Sequence, residues 1–111
     1  MASLKEKLAQ KIEEHRPRTT RLLKEFGNVK VDELTISQVI GGMRGVKCLV
    51  TDISYLDPFE GIRFRGYTIP EVMEKLPKPA GCEMPYVEGH FYLLLTGEIP
   101  TEAEIQEVIE E

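Results

Sequence analysis

The chain has 111 residues, enough for one domain with a modest core. Fourteen Lys and Arg against nineteen Asp and Glu leave a net charge of −5, which argues against general nucleic-acid binding, because that rests on neutralising phosphates. The longest apolar run, Phe91-Tyr92-Leu93-Leu94-Leu95, falls well short of the about 18 residues that would argue for a membrane span, so neither a nucleic acid nor a membrane is an expected partner.

Residues 3–26 read as a helix opened by Ser3-Leu4-Lys5-Glu6, a capping box. Leu4, Leu8 and Ile12 form one stripe, which Leu22, Leu23 and Phe26 continue. Pro17 should kink or split this helix near Arg16, and Gly27-Asn28 should stop it. Val29, Val31, Leu34, Ile36, Val39 and Ile40 then suggest short extended pieces, and the β-branched run Val46 to Ile53 suggests another. Ile62 to Tyr67 alternates, which puts Ile62 and Phe64 on one face and Arg63, Arg65 and Tyr67 on the other. Turn clusters lie at Gly41-Gly42-Met43-Arg44-Gly45 and Asp57-Pro58-Phe59-Glu60-Gly61. Helices return at Thr68-Ile69-Pro70-Glu71, from about Tyr86 to Thr96, and from Thr101-x-x-Glu104 onward; the middle one is apolar nearly all round and is expected to be buried. The pattern is mainly α with small antiparallel β-hairpins.

Chemistry is sparse. His15 sits among charges and His90 beside an apolar run, and no spacing places a nucleophile next to a base. Cys48 and Cys82 are too few for a disulfide scaffold, lack metal spacing and have no local activating motif, so a reducing setting is the default. The glycine-rich stretch around Arg44 reads either as a structural turn with a surface arginine or as a loop presenting a guanidinium fork to a phosphate or carboxylate. Arg63 and Arg65 on one strand face read as an ion-pairing surface. Eight Glu and no Lys or Arg lie between Glu83 and Glu111, and the last helical pattern ends without a stop signal, which suggests the front part of a longer protein.

Several of these stretches together resemble the N-terminal region of citrate synthase: Gly41-Gly42-Met43-Arg44-Gly45, the run from Leu56-Asp57-Pro58 through Glu60-Gly61-Ile62-Arg63-Phe64-Arg65-Gly66-Tyr67 to Ile69-Pro70-Glu71, Leu76-Pro77-Lys78, Glu88-Gly89 with Phe91 to Gly97, and Ile99-Pro100-Thr101-Glu102. The order and spacing are similar to the type found in mitochondria and in some bacteria, over essentially the whole chain. The resemblance implies a segment of a large helical domain, with 1–27 helical, 28–68 short strands and loops, and 69–111 helical. The implied parent is a homodimeric enzyme of the tricarboxylic acid cycle, several times longer. It condenses acetyl-CoA with oxaloacetate and water to give citrate and CoA, with no metal and no other cofactor. In that chemistry a carboxylate removes a methyl proton while one histidine supports the enolate oxygen and another the oxaloacetate carbonyl. None of those catalytic groups is expected in this segment, since His15 and His90 match neither histidine motif, and the segment alone is expected to be inactive.

Arg44 stands where the family's loop arginine helps to bind the CoA phosphates, so the resemblance implies a CoA-binding role for it. His90 departs from a position that is commonly apolar, and Cys48 and Cys82 from positions where close relatives often have glycine. Met1 to Leu8 resembles neither a signal peptide nor a transit peptide, from which a bacterial, cytoplasmic protein is expected. Two other readings remain: a segment of 2-methylcitrate synthase, which uses propionyl-CoA, or a standalone dimerisation or regulatory module without catalysis.

Overall fold

The computed structural model describes residues 2–111; Met1, the first residue of the expected 1–27 helix, lies outside them. The chain forms α1 (Leu4–Phe26), α2 (Ile36–Ile40), β1 (Ser54–Asp57), β2 (Gly61–Phe64), β3 (Tyr67–Thr68), α3 (Ile69–Lys75), α4 (Val87–Thr96) and α5 (Glu102–Glu110). The expected class holds: a mainly helical chain with one small antiparallel sheet in the order β1-β2-β3.

Helix starts follow local chemistry. Ser3, Thr68 and Thr101 each accept from the backbone three residues on, while Glu6, Glu71 and Glu104 reach back to the capping residue. Two features of the first half differ from expectation. α1 runs through Pro17 without splitting. Pro17 cannot donate to the Glu13 carbonyl, but both residues are exposed, and a carbonyl facing solvent tolerates the loss. Gly27 ends α1 as expected, in a right-handed conformation (φ −59°, ψ −25°). Ile36 to Ile40, expected extended, is helical because Thr35 and Gln38 form another capping box, which outweighs β-branched composition.

The strands also differ from their pattern. Val46 to Asp52 is irregular, since no partner strand offers it a ladder. The alternating run Ile62 to Tyr67 is two strands. Phe64 pairs with Tyr67, so Arg65-Gly66 is a two-residue hairpin turn, with φ of 48° and 87°. Both central residues of this tight turn need positive φ, which Gly66 adopts freely and Arg65 only at a cost. The reversal resets the alternation, so Tyr67 joins Phe64 against the core instead of facing away. At the other turn, the Asp57 carboxylate accepts from the backbone of Phe59 and Glu60, both at 2.8 Å, and those bonds hold its pKa below the usual range.

The core sits in the second half. Val72 and Leu76 of α3 meet Leu93 of α4, with Phe64, Tyr67 and Ile99 packed around them. α5 docks on α4 where Gly89 is buried; a Cβ there would come within 3.2 Å of Ile105 Cδ1. Tyr92 is buried with its hydroxyl donating to Glu104 at 2.9 Å, and burial together with that carboxylate pushes its phenol pKa up. α4 is only half buried, contrary to expectation: Tyr92, Leu93 and Thr96 face inward, while Val87, Phe91 and Leu95 form an outward stripe at four-residue spacing. The radius of gyration is 18.3 Å, against about 13 Å for a compact domain of this size.

Leu93 is fully buried and Leu22 is more than half exposed. Leu93→Ala should therefore lower unfolding stability by about 2–5 kcal/mol, and Leu22→Ala by under about 1 kcal/mol, read as urea midpoints.

Candidate anion-binding site and its support

The Arg44 turn is built on the end of α2. Gly41 N donates to Ser37 O (2.9 Å), Met43 N to Gln38 O (2.8 Å) and Val46 N to Met43 O (3.2 Å). Gly42, Met43 and Gly45 have φ of 80°, 62° and 71°. A left-handed methionine costs about 1–2 kcal/mol, so this turn is held by its bonds and not by preference. The Gln38 side chain, already in the capping box, also donates to the Arg44 carbonyl at 3.4 Å. These bonds occupy backbone groups. The Arg44 side chain is exposed, and among the described residues it forms no ion pair or hydrogen bond.

Arg65 is its opposite. Its Nε and Nη2 donate to Leu94 O at 2.9 and 2.7 Å, and Nη2 also to Leu95 O at 3.2 Å. Nη1 donates to Asp52 at 3.0 Å, and the side chain is only 16% exposed. Carbonyls of the last helical turn have no intrahelical partner and carry the negative end of the helix dipole, which suits a guanidinium. Arg63 pairs with Glu60 at 2.9 Å and donates to Gly66 O at 3.1 Å, and the Glu60 carboxylate raises the Arg63 pKa. Both arginines of the hairpin are therefore committed to the protein, and of these three Arg44 is the one left open. The sequence pattern did not reveal the role of Arg65; the Arg-Gly dipeptide between alternating strands was the available signal for a turn there.

A cleft of about 570 Å³ lies beside Arg65, lined by Lys11, His15 and Arg18 of α1 and by Val50 and Asp52. Its α1 wall is fixed by Glu98, which pairs with Lys7 at 3.0 Å and with Lys11. His90 lies edge-on to Phe64, with ring centroids 4.6 Å apart, a packing position. Cys48 and Cys82 are free and exposed. Among the described residues no group of His, Cys, Asp and Glu is arranged to hold a metal, and no helix is long and apolar enough to cross a membrane.

Comparison with known proteins identifies the family. Residues 42–111 match the family model described as "Citrate synthase, C-terminal domain". The chain is 52% identical over 106 residues to "Citrate synthase, mitochondrial" of Emericella nidulans, covering 96% of this chain and 22% of that protein. It is 47% identical over 109 residues to the protein of the same name from Xiphias gladius, covering 98% and 23%. It is 50% identical over 103 residues to "2-methylcitrate synthase, mitochondrial" of Yarrowia lipolytica, covering 93% and 22%. The chain belongs to the citrate synthase family. It spans less than a quarter of the length of these relatives. The mitochondrial names of relatives from fungi and animals overturn the expected bacterial, cytoplasmic setting, which had rested on Met1 to Leu8 and on the two cysteines; neither carries that information.

Lys11 and then Lys7 hold the Glu98 carboxyl below its ordinary value of 4.5. A group with a depressed folded pKa contributes stability above its unfolded value and loses it as pH falls through the folded one. Docking of α1 should therefore weaken on acidification below about pH 4.5, and Glu98→Gln should remove part of that dependence, read by hydrogen exchange of the α1 amides against pH.

Proposed function

We propose that this chain is the N-terminal segment of a citrate synthase, and that the parent condenses acetyl-CoA with oxaloacetate to give citrate and CoA. What carries the reading is the match to citrate synthases over nearly the whole chain together with the exposed, uncommitted Arg44. In this reading Arg44 contacts the CoA phosphates, for which a planar fork of donors is suited. The segment holds none of the catalytic groups: the proton-abstracting carboxylate and both histidines come from elsewhere in the parent, which needs no metal or other cofactor. The names of the relatives support a mitochondrial setting. A homodimer is part of the proposal, and the outward apolar stripe Val87, Phe91 and Leu95 on α4 supports it, since exposed patches of this kind mark association surfaces.

The 2-methylcitrate reading has one observation in its favour, the Yarrowia lipolytica relative. Comparing kcat/KM for acetyl-CoA and propionyl-CoA in the complete parent separates the two: citrate synthase predicts the higher value for acetyl-CoA, and the reverse order supports the alternative. Activity should survive dialysis against a chelator. Purified 1–111 should release no CoA from acetyl-CoA and oxaloacetate above background, and release by the segment would overturn the assignment of its catalytic groups to the rest of the parent.

Arg44→Ala in the parent should raise KM for acetyl-CoA about tenfold with kcat nearly unchanged, as expected for losing one charged hydrogen-bonding group that binds substrate and transition state alike. Arg44→Lys should fall between, because the ammonium keeps the charge and loses the fork.

A further inference from the structure

We infer that Arg65 is a positioning residue for Arg44, acting through Asp52; this rests on the reading that Arg44 meets the CoA phosphates. Residues 28–53 form an arm that carries Arg44 and is exposed almost throughout. Its hydrogen bonds beyond itself are few. Val29 N donates to Phe26 O at the end of α1, which only continues the helix outward. Among the described residues every other hydrogen bond from the arm to the body ends on Arg65: the backbone N of Arg65 donates to Ile53 O at 2.8 Å, and its Nη1 donates to Asp52 at 3.0 Å. The one ion pair of Lys47, with Asp32, stays within the arm.

Arg65 is a suitable anchor because it is itself immobilised. It sits in the left-handed region at a two-residue turn, and its remaining guanidinium nitrogens grip the C-terminal carbonyls of α4. With Nε, Nη1 and Nη2 all engaged and little of the side chain exposed, four of its five N–H donors are already used within the protein. Within the described residues, the position at which the arm re-enters the body is thus tied to the helical core through the hydrogen bonds of one residue. Arg44 stands eight residues before Asp52, so freeing Asp52 widens the volume that the Arg44 guanidinium samples. A wider ensemble lowers affinity without altering chemistry, which is the signature of a positioning role.

The experiment uses the complete parent enzyme with Arg44→Ala, Asp52→Ala, Asp52→Glu and the double variant Arg44→Ala/Asp52→Ala. Asp52 is largely exposed, and its loss leaves the Arg65 contacts to Leu94 and Leu95 in place. Asp52→Ala should raise KM for acetyl-CoA about threefold to fivefold while leaving kcat and the oxaloacetate KM unchanged, the range expected for an exposed ion pair. Asp52→Glu should restore most of the loss, and adding Asp52→Ala to Arg44→Ala should change nothing further. Trypsin cleavage after Arg44 and Lys47 in the folded enzyme should be faster in Asp52→Ala, which reads the arm independently of activity. The inference is overturned if Asp52→Ala moves neither the acetyl-CoA KM nor the cleavage rate, or if it raises KM equally with and without Arg44. An Arg44→Ala variant with unchanged acetyl-CoA KM overturns the reading of Arg44 and the inference with it; that failure is distinguished by the single variant alone.

Discussion

The last turn of an α-helix exposes carbonyls with no partner inside the helix, and in this chain the end of α4 finds that partner 29 residues upstream, in Arg65. That constraint organises much of the rest. It fixes the hairpin β2–β3 against α4, so that Phe64 and Tyr67 reach Val72, Leu76 and Leu93. The helix ends there at Gly97, whose left-handed cap (φ 78°) lies beside the Arg65 side chain. The left-handed backbone of Arg65 is unfavourable for a residue with a side chain, and three charge-assisted bonds to helix carbonyls are the compensation the structure offers.

The molecule divides accordingly into a body and an arm. In the body, α3, α4 and α5 share the buried residues, and α1 is held across them by the bonds of Lys7 and Lys11 to Glu98. In the arm, Val31, Ile36, Ile40, Leu49 and Val50 are all exposed. So many apolar side chains in water mark a surface that other protein covers, in keeping with a chain that spans less than a quarter of the length of its relatives. Within that arm the polar tip is the Arg44 turn, held in an unfavourable backbone shape by bonds to α2 while its guanidinium stays uncommitted.

Local chemistry was legible in the residues where it acts over three or four positions. The capping boxes at Ser3, Thr68 and Thr101 and the turns around Gly42 and Asp57 were readable, because each is a short-range contract between a side chain and nearby backbone. The class followed from them. What failed depended on distant partners. Val46 to Asp52 has strand composition but no strand beside it, and Ile36 to Ile40 looked extended until Gln38 is counted as the closing half of a box. Tyr67 was assigned to the wrong face because the turn at Arg65-Gly66 was read through as strand. Arg44 was singled out through its glycine-rich setting and its resemblance to a family loop, while the task of Arg65 depends on carbonyls of Leu94 and Leu95 that no local pattern announces.

The three arginines around the hairpin and arm thus share a side chain but not a role. Arg63 steadies a turn, Arg65 joins hairpin, helix and arm, and Arg44 alone remains available to an anion. The most direct test of that division is a crystal structure of the complete parent enzyme with CoA bound. The account predicts the Arg44 guanidinium within hydrogen-bonding distance of a CoA phosphate, with Arg65 still on Leu94, Leu95 and Asp52. CoA bound with Arg44 remote from every phosphate, or with Arg65 turned from the helix to the ligand, would contradict it.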